Sequence, residues 1–94
     1  MYAFRSKMWQ DFTKAERVGT DEIKNTYKNY FKNWKTNYKY LTELVFILNA
    51  KSKEYNSFNI RFAKLYNKLY EDANDYAIQN LKGKELDYYF ERVS

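Results

Sequence analysis

The segment EIKNTYKNYFKNWKTNYKY, from Glu22 to Tyr40, offers side chains that could do chemistry, because it carries a lysine at nearly every helical turn. It contains no acidic residue after Glu22. On one continuous helix, at about 100° per residue, these lysines fall within an arc of about 80° and form a single stripe. The predicted binding face consists of the five lysines and two flanking rings: Lys24, Lys28, Phe31, Lys32, Lys35, Tyr38 and Lys39.

Lysines flanked by aromatic rings are typical of surfaces that hold nucleic acid, because ammonium groups meet phosphates and rings stack on bases. The stripe contains no arginine, which would supply the bidentate contacts to phosphates and guanine edges that sequence-specific recognition uses. Three interpretations of this face stay open: a solvated helix surface, a surface for an acidic protein, and a sequence-independent contact with nucleic acid.

The residue types that most often perform catalysis or bind metals are missing. The sequence has no Cys and no His, which excludes disulfides, zinc fingers, Cys or His nucleophiles and Ser-His-Asp triads. Glu71 and Asp75 are four residues apart on a predicted helix, but calcium takes about 6–8 oxygen ligands and two carboxylates make a poor site. The sequence therefore predicts a non-enzymatic protein with no cofactor, no metal and no small-molecule substrate.

Length and charge indicate one small basic domain. Ninety-four residues suit a single domain, 1–94, with a thin hydrophobic core. The net charge of +5 comes from residues 1–40, which carry nine Lys or Arg against four Asp or Glu, whereas residues 41–94 carry eight of each. Such asymmetry indicates an anionic partner. The N-terminus lacks a signal-peptide core and no apolar run approaches the roughly 20 residues of a membrane span, so a cytoplasmic protein without membrane contact is predicted.

Apolar spacing predicts an all-α fold. The apolar residues recur at helical intervals, and the sequence has no Pro and Gly only at positions 19 and 83. A first helix is predicted over about Ala3–Arg17, with Gly19 ending it and Thr20 or Asp21 capping the next helix. The residues that this first helix is predicted to bury are Phe4, Met8, Trp9 and Phe12.

A second helix is predicted from Asp21 to near Tyr55, because its apolar residues follow the rhythm of a heptad seam, with Asn37 at the one skipped position. That seam consists of Ile23, Tyr27, Tyr30, Trp34, Leu41, Leu44 and Leu48. A third helix is predicted over about Ser57–Leu81, with Ser57 as its N-cap. Its seam consists of Phe58, Phe62, Leu65, Leu69, Tyr76 and Ala77.

After Lys82 and Gly83, a short closing helix is predicted, with Tyr89 or Phe90 turned inward. Its apolar positions are Leu86, Tyr89, Phe90 and Val93. The two long helices must pack antiparallel to bury both seams. The predicted architecture is therefore a small helical bundle built on a long antiparallel helical hairpin with short N- and C-terminal helices. A hairpin turning near Asn56 would also bring Asp72 and Asp75 beside Lys35 and Lys39.

Aromatic residues are more numerous than a bundle of this size can bury. Eleven Tyr, seven Phe and two Trp predict that some rings are exposed and contact a protein. The rings predicted to do so are Phe31, Tyr40, Phe46, Tyr55, Tyr66 and Tyr70. A homodimer that joins two hairpins into a four-helix arrangement is one way to cover them.

The segments LTELVFILNAKS (Leu41–Ser52) and LYNKLYEDANDYAIQNLKGKELDYYF (Leu65–Phe90) resemble short helical proteins of plasmids and conjugative elements of Gram-positive bacteria. The resemblance implies an accessory role in a mobile genetic element, and it carries no catalytic motif. The leading hypothesis is a non-enzymatic interaction or regulatory module that recognises a protein or its own copy. The alternative is sequence-independent nucleic-acid binding along the face from Lys24 to Lys39.

Overall fold

Five helices make up the part of the chain that the computed structural model describes, residues 3–55 and 58–93 with side chains from Arg5 onward. In chain order they are α1 (Ala3–Val18), α2 (Thr20–Phe31), α3 (Tyr38–Glu54), α4 (Ile60–Asn80) and α5 (Lys84–Val93). These residues contain no strand, so the all-α prediction is confirmed for them.

The first helix and the turn after it lie close to their predicted positions. Met8 and Phe12 are fully buried, whereas the side chain of Phe4 lies outside the described residues. Gly19 is itself the N-cap of α2 and adopts a φ of 149°, which residues with a Cβ rarely adopt. Thr20 is already helical, so the prediction that Thr20 or Asp21 caps this helix is wrong.

The single helix predicted over residues 21–55 is also wrong, because α2 ends at Phe31 and α3 begins at Tyr38. Asn37, which the heptad pattern treated as a skipped core position, is the N-cap of α3, and its side chain accepts a hydrogen bond of 3.0 Å from the backbone N–H of Lys39. Thr36 donates its hydroxyl to the carbonyl of Asn33 in the preceding turn. Side chains of this kind compete with the helical backbone, which accounts for the break.

The start of α4 differs from its prediction as well. Ser57, the predicted cap, lies outside the described residues, and the observed N-cap is Asn59, whose side chain accepts a hydrogen bond from the N–H of Phe62. Phe58 therefore precedes the helix and is 72% exposed, so its predicted burial in the seam is wrong. At the other end of α4, Gly83 adopts a φ of 61° in the turn that leads into α5.

The connections between helices gather at two ends of the bundle. Glu16, near the end of α1, accepts a hydrogen bond from Tyr55 after α3, so the α1–α2 and α3–α4 connections lie at one end. At the other end, Trp34 of the α2–α3 connection lies 5.2 Å from the ring of Tyr76, near the end of α4.

All five helices contribute to one buried core, and α3 supplies the most residues to it. The buried core residues include Met8, Phe12, Ile23, Leu41, Leu44, Ile47, Leu48, Tyr66, Ala73, Ala77 and Tyr89. α3 packs against α4, but the long hairpin in its predicted form is not confirmed, because its first arm is two helices. Of the two rings considered for the last helix, Tyr89 is the buried one. Within the described ranges, no helix is apolar over a length that would cross a membrane.

Candidate functional site

The five predicted lysines, which we call the lysine segment (Lys24, Lys28, Lys32, Lys35 and Lys39), are all exposed. Lys24 and Lys28 lie on α2, whereas Lys32 and Lys35 belong to the α2–α3 connection and Lys39 lies on α3. The prediction that they share one helix face is wrong, because the helix on which that geometry depends is broken after Phe31. What the structure retains is a continuous basic stretch of chain.

One of the two carboxylates expected to neutralise this segment has another partner. Asp72 forms an ion pair with Lys68, one turn earlier on α4, at 3.3 Å. Within residues 5–55 and 58–93, none of the five lysines has a carboxylate oxygen within 4.0 Å, so the pairing predicted for Lys35 and Lys39 does not occur there. The contact of Lys39 is instead with the ring of Tyr88, whose centre lies 5.5 Å from its Nζ.

The two rings selected with the lysines are half-buried and held by other rings. Phe31 meets Tyr76 edge-on at 5.0 Å between ring centres. Tyr38 meets Tyr88 edge-on at 5.4 Å, with an angle of 89° between the ring planes. Trp34, which the prediction assigned to the core, is half-buried between Lys32 and Lys35 in the connection. The structure therefore places aromatic rings among the exposed lysines.

Two acidic residues of α4 interact with residues one turn earlier on the same helix. Glu71 makes a hydrogen bond with Asn67, and Asp72 is held by Lys68. Across the described ranges of the chain, no group of three or more acidic residues has the geometry to hold a metal ion.

Three strongly exposed apolar side chains lie at the end of the bundle formed by the α1–α2 and α3–α4 connections. Val18 is 77% exposed, Phe58 is 72% exposed and Ile60 is 61% exposed. We call this surface the apolar end. A groove of about 540 Å³ beside Val18 runs to Arg61 and Phe62 on α4, which shows that the two connections are neighbours.

The aromatic rings that the sequence predicted to be exposed are buried or half-buried in the structure. Tyr66 is fully buried, and the other five, Phe31, Tyr40, Phe46, Tyr55 and Tyr70, are half-buried. Sequence reasoning missed the apolar end, because Phe58 and Ile60 flank the Asn59 cap at the start of α4 and fit no helical stripe. The alternation of Phe58 and Ile60 around a capping Asn was the signal in the sequence that could have indicated this exposed apolar surface.

Beneath the apolar end lies a buried cation, Lys51, which is only 1% exposed. Its ammonium group is 3.2 Å from the carboxylate of Glu16 and 3.5 Å from that of Glu54. It also donates a hydrogen bond of 2.7 Å to the hydroxyl of Thr13 and lies 4.2 Å from the ring centre of Trp9. These contacts replace the water that a buried ammonium group loses.

Two tyrosines complete this arrangement, which we call the Lys51 cluster. The hydroxyls of Tyr55 and Tyr66 both donate to the carboxylate of Glu16. Burial raises the pKa of the Tyr66 hydroxyl, and its hydrogen bond to Glu16 raises that pKa further, because a tyrosinate would lose the bond and face a carboxylate. The pKa of Tyr55 is raised for the same two reasons.

A second buried charge, Glu43, lies two turns earlier on α3 and is fully buried. Its carboxylate forms ion pairs with Arg5 of α1 and with Arg92 of α5, the latter at 3.1 Å. The hydroxyl of Tyr88 lies 3.5 Å from the same carboxylate. This Glu43 cluster fixes the first and last helices to the central one.

The sequence did carry a signal for this pair of buried charges. Glu43 is the one charged residue within the apolar run from Leu41 to Leu48, and Lys51 follows it two turns later. Apart from Glu54, three positions after Lys51, their charged partners could not be identified, because they lie 35 or more positions away along the chain.

A groove of about 610 Å³ runs between α1 and α2, and apolar atoms line more of it than polar ones do. In it, Asp11 accepts hydrogen bonds from Tyr30 and from Lys7. Burial acts to raise the pKa of Asp11, but these hydrogen bonds outweigh it and hold that pKa below its ordinary value of 3.8. The groove therefore carries an ionised, internally paired carboxylate rather than an acid suited to proton transfer.

Comparison with protein families, with curated proteins and with solved structures found no match to this chain. The arrangement of its own residues offers two surfaces for binding: the apolar end and the lysine segment.

Proposed function

We propose that this protein is a non-enzymatic interaction module that binds a protein partner at the apolar end. The observation that carries the proposal is the exposure of Val18, Phe58 and Ile60 at one end of the bundle. Covering an exposed apolar side chain of this size stabilises a complex by about 1.5–3 kcal/mol. Three such side chains on neighbouring connections supply a favourable centre for an interface. The accessory role in a mobile element, which the resemblance of residues 41–90 implies, belongs to the same proposal.

The surroundings of the apolar end support this proposal. Exposed charges of both signs border it, with Arg17 and Asp21 on the α1–α2 side and Lys53 and Arg61 on the α3–α4 side. An apolar centre with a polar rim is the usual arrangement of a protein interface. The neighbouring groove of about 540 Å³ could receive an anchoring side chain of the partner.

The Lys51 cluster, which lies beneath the apolar end, also supports the proposal. Glu16 of α1 is tied to Tyr55 beyond α3 and to Tyr66 of α4, so hydrogen bonds join the elements that carry the exposed apolar residues. A surface that is already ordered loses less conformational entropy on binding.

The test is photo-crosslinking in an extract of the source organism, with a photoreactive phenylalanine analogue in place of Phe58. The matched control places the same analogue at Ile78, which is 46% exposed and lies near the opposite end of α4. We expect one dominant protein adduct from position 58 and none of that mass from position 78. An adduct of about twice the 11.6 kDa chain mass would identify the partner as a second copy.

Competition makes the test specific. Excess unlabelled protein should abolish the adduct, whereas a Phe58→Asp/Ile60→Asp variant with an unchanged circular dichroism spectrum should not compete. Both residues are exposed, so these substitutions are not expected to unfold the bundle. Identical adducts from positions 58 and 78, or none from position 58, would refute the proposal.

A further inference from the structure

Beyond the protein partner at the apolar end, we propose that the lysine segment binds single-stranded nucleic acid without sequence preference. In this proposal the lysine amines meet the phosphates and the indole ring of Trp34 stacks on a base. The two surfaces are separate, because Trp34 lies at the opposite end of the bundle from Val18.

The charge of the lysine segment is not cancelled, because the acids of residues 1–40 are engaged elsewhere. Glu16 belongs to the Lys51 cluster, and Asp11 accepts from Lys7 and Tyr30. The remaining two, Asp21 and Glu22, lie in the first turn of α2, at the apolar end. The later part of α2 and the connection after it therefore contribute lysines and no carboxylate of their own. The charge of Asp72 on α4 reaches Tyr27 of α2, but Asp72 is paired with Lys68.

The break between α2 and α3 places the ring of Trp34 among the exposed lysines. Trp34 lies in the turn between Lys32 and Lys35, and both lysines are exposed. Its half-buried ring packs edge-on against Tyr76, at 5.2 Å and 78°, so the ring is anchored on one side. Stacking of bases on such rings is sequence-tolerant, because every base has a flat π face.

The chemistry of the lysine segment favours single-stranded nucleic acid over a nucleic-acid duplex and over an acidic protein. A duplex keeps its bases stacked on each other, so it offers phosphates to the lysines but no base face to Trp34. The segment has no arginine with which to read base edges in a groove. An acidic protein would use the lysines and leave the ring without a role.

The test uses the full chain with Trp9→Phe, so that Trp34 is its only tryptophan, and a fluorescently labelled oligothymidylate. Anisotropy should show binding at low salt, and the fluorescence of Trp34 should be quenched in parallel. If all five lysines contact phosphates, the slope of log K against log salt should be about −3.5 for a single strand.

Two double variants, each of which loses two positive charges, distinguish binding at the lysine segment from a general attraction to the positively charged protein. Lys32→Gln/Lys35→Gln should make the slope shallower by about 1.4. The control, Lys53→Gln/Lys64→Gln, removes two exposed lysines elsewhere and should leave the slope unchanged. Trp34→Leu should weaken binding at least about fivefold, with the fold checked by circular dichroism.

Several outcomes would overturn the proposal. They are absence of binding at low salt, binding of duplex DNA or polyglutamate as tightly as the single strand, absence of Trp34 quenching on binding, and equal slopes for the two charge variants.

Discussion

At the apolar end, α3 carries a buried cation, Lys51, between Glu16 and Glu54, whereas two turns earlier it carries a buried anion, Glu43, between Arg5 and Arg92. Both clusters hold α1 onto α3, but they use opposite charges. In the Lys51 cluster two tyrosine hydroxyls donate to the carboxylate of Glu16, whereas in the Glu43 cluster two arginines and the hydroxyl of Tyr88 hold the carboxylate.

The two clusters also take different charges from the basic half of the sequence. The Lys51 cluster takes the acid Glu16, and the Glu43 cluster takes the base Arg5. These two charges cancel, so the positive charge of residues 1–40 remains on its other residues, which include the exposed lysine segment. At the apolar end, in contrast, the charge of Lys51 is paired in the interior and three apolar side chains are strongly exposed.

The largest effect is expected at the Glu43 cluster. Glu43→Ala leaves two arginines facing a buried site without their carboxylate and should lower the free energy of unfolding by about 3–5 kcal/mol. Chemical denaturation measures this loss. The matched control is Glu71→Ala on the exposed face of α4, for which a change within about 0.5 kcal/mol is expected. A loss at Glu43 as small as that at Glu71 would show that the cluster is dispensable.

A smaller loss is expected at the Lys51 cluster from Tyr66→Phe. The substitution removes one of two hydroxyls that donate to Glu16 and should cost about 1.5–3 kcal/mol, the range for hydrogen bonds to charged groups. Tyr76→Phe is the control, since its half-buried ring packs on Phe31 and Trp34 through its faces and edges. If both variants lose equal stability, the hydroxyl of Tyr66 has no special role.

The break between α2 and α3 is tested by removing its cap. Asn37→Ala eliminates the hydrogen bond to the N–H of Lys39 and should lower the free energy of unfolding by about 1 kcal/mol. Asn25→Ala, on the exposed face of α2, should have no such cost. Increased stability of Asn37→Ala would mean that the cap does not hold the break, and that a continuous helix is preferred.

The smallest effect concerns alkaline pH. The pKa of Tyr66 is raised in the folded state above its unfolded value near 10, so the stability it contributes is complete below pH 10 and is lost as pH rises above it. Between pH 8 and pH 10.5, wild type should therefore lose about 0.8 kcal/mol more than Tyr66→Phe. Parallel curves of unfolding free energy against pH would contradict this assignment.

The sequence predicted the helices where local signals and tertiary packing agree. Gly19 and Gly83 separate helices whose apolar spacing is unambiguous, and Met8 and Phe12 are buried as their spacing indicates. It failed at residues 32–37, because a side-chain cap at Asn37 overrides a heptad rhythm that continues through it. Pattern analysis weighs apolar positions and gives no weight to such a competing hydrogen bond.

The candidate surfaces were predictable to different degrees. The exposed lysines are local in sequence and were identified from it, whereas their arrangement depended on the unbroken helix. The apolar end was missed, because it combines Val18 of the α1–α2 connection with residues at the start of α4, which are far apart in the chain and become neighbours only in the bundle. Glu43 and Lys51 were missed for the same reason, since all of their ion-pair partners except Glu54 come from other helices.

The central claim is that the apolar end, and not the lysine segment, holds the protein partner. The most direct test measures the crosslink yield from position 58 in the wild-type background and in the Lys32→Gln/Lys35→Gln background. The account predicts equal yields, because the lysines lie at the opposite end of the bundle. Loss of the adduct in the lysine variant would contradict it.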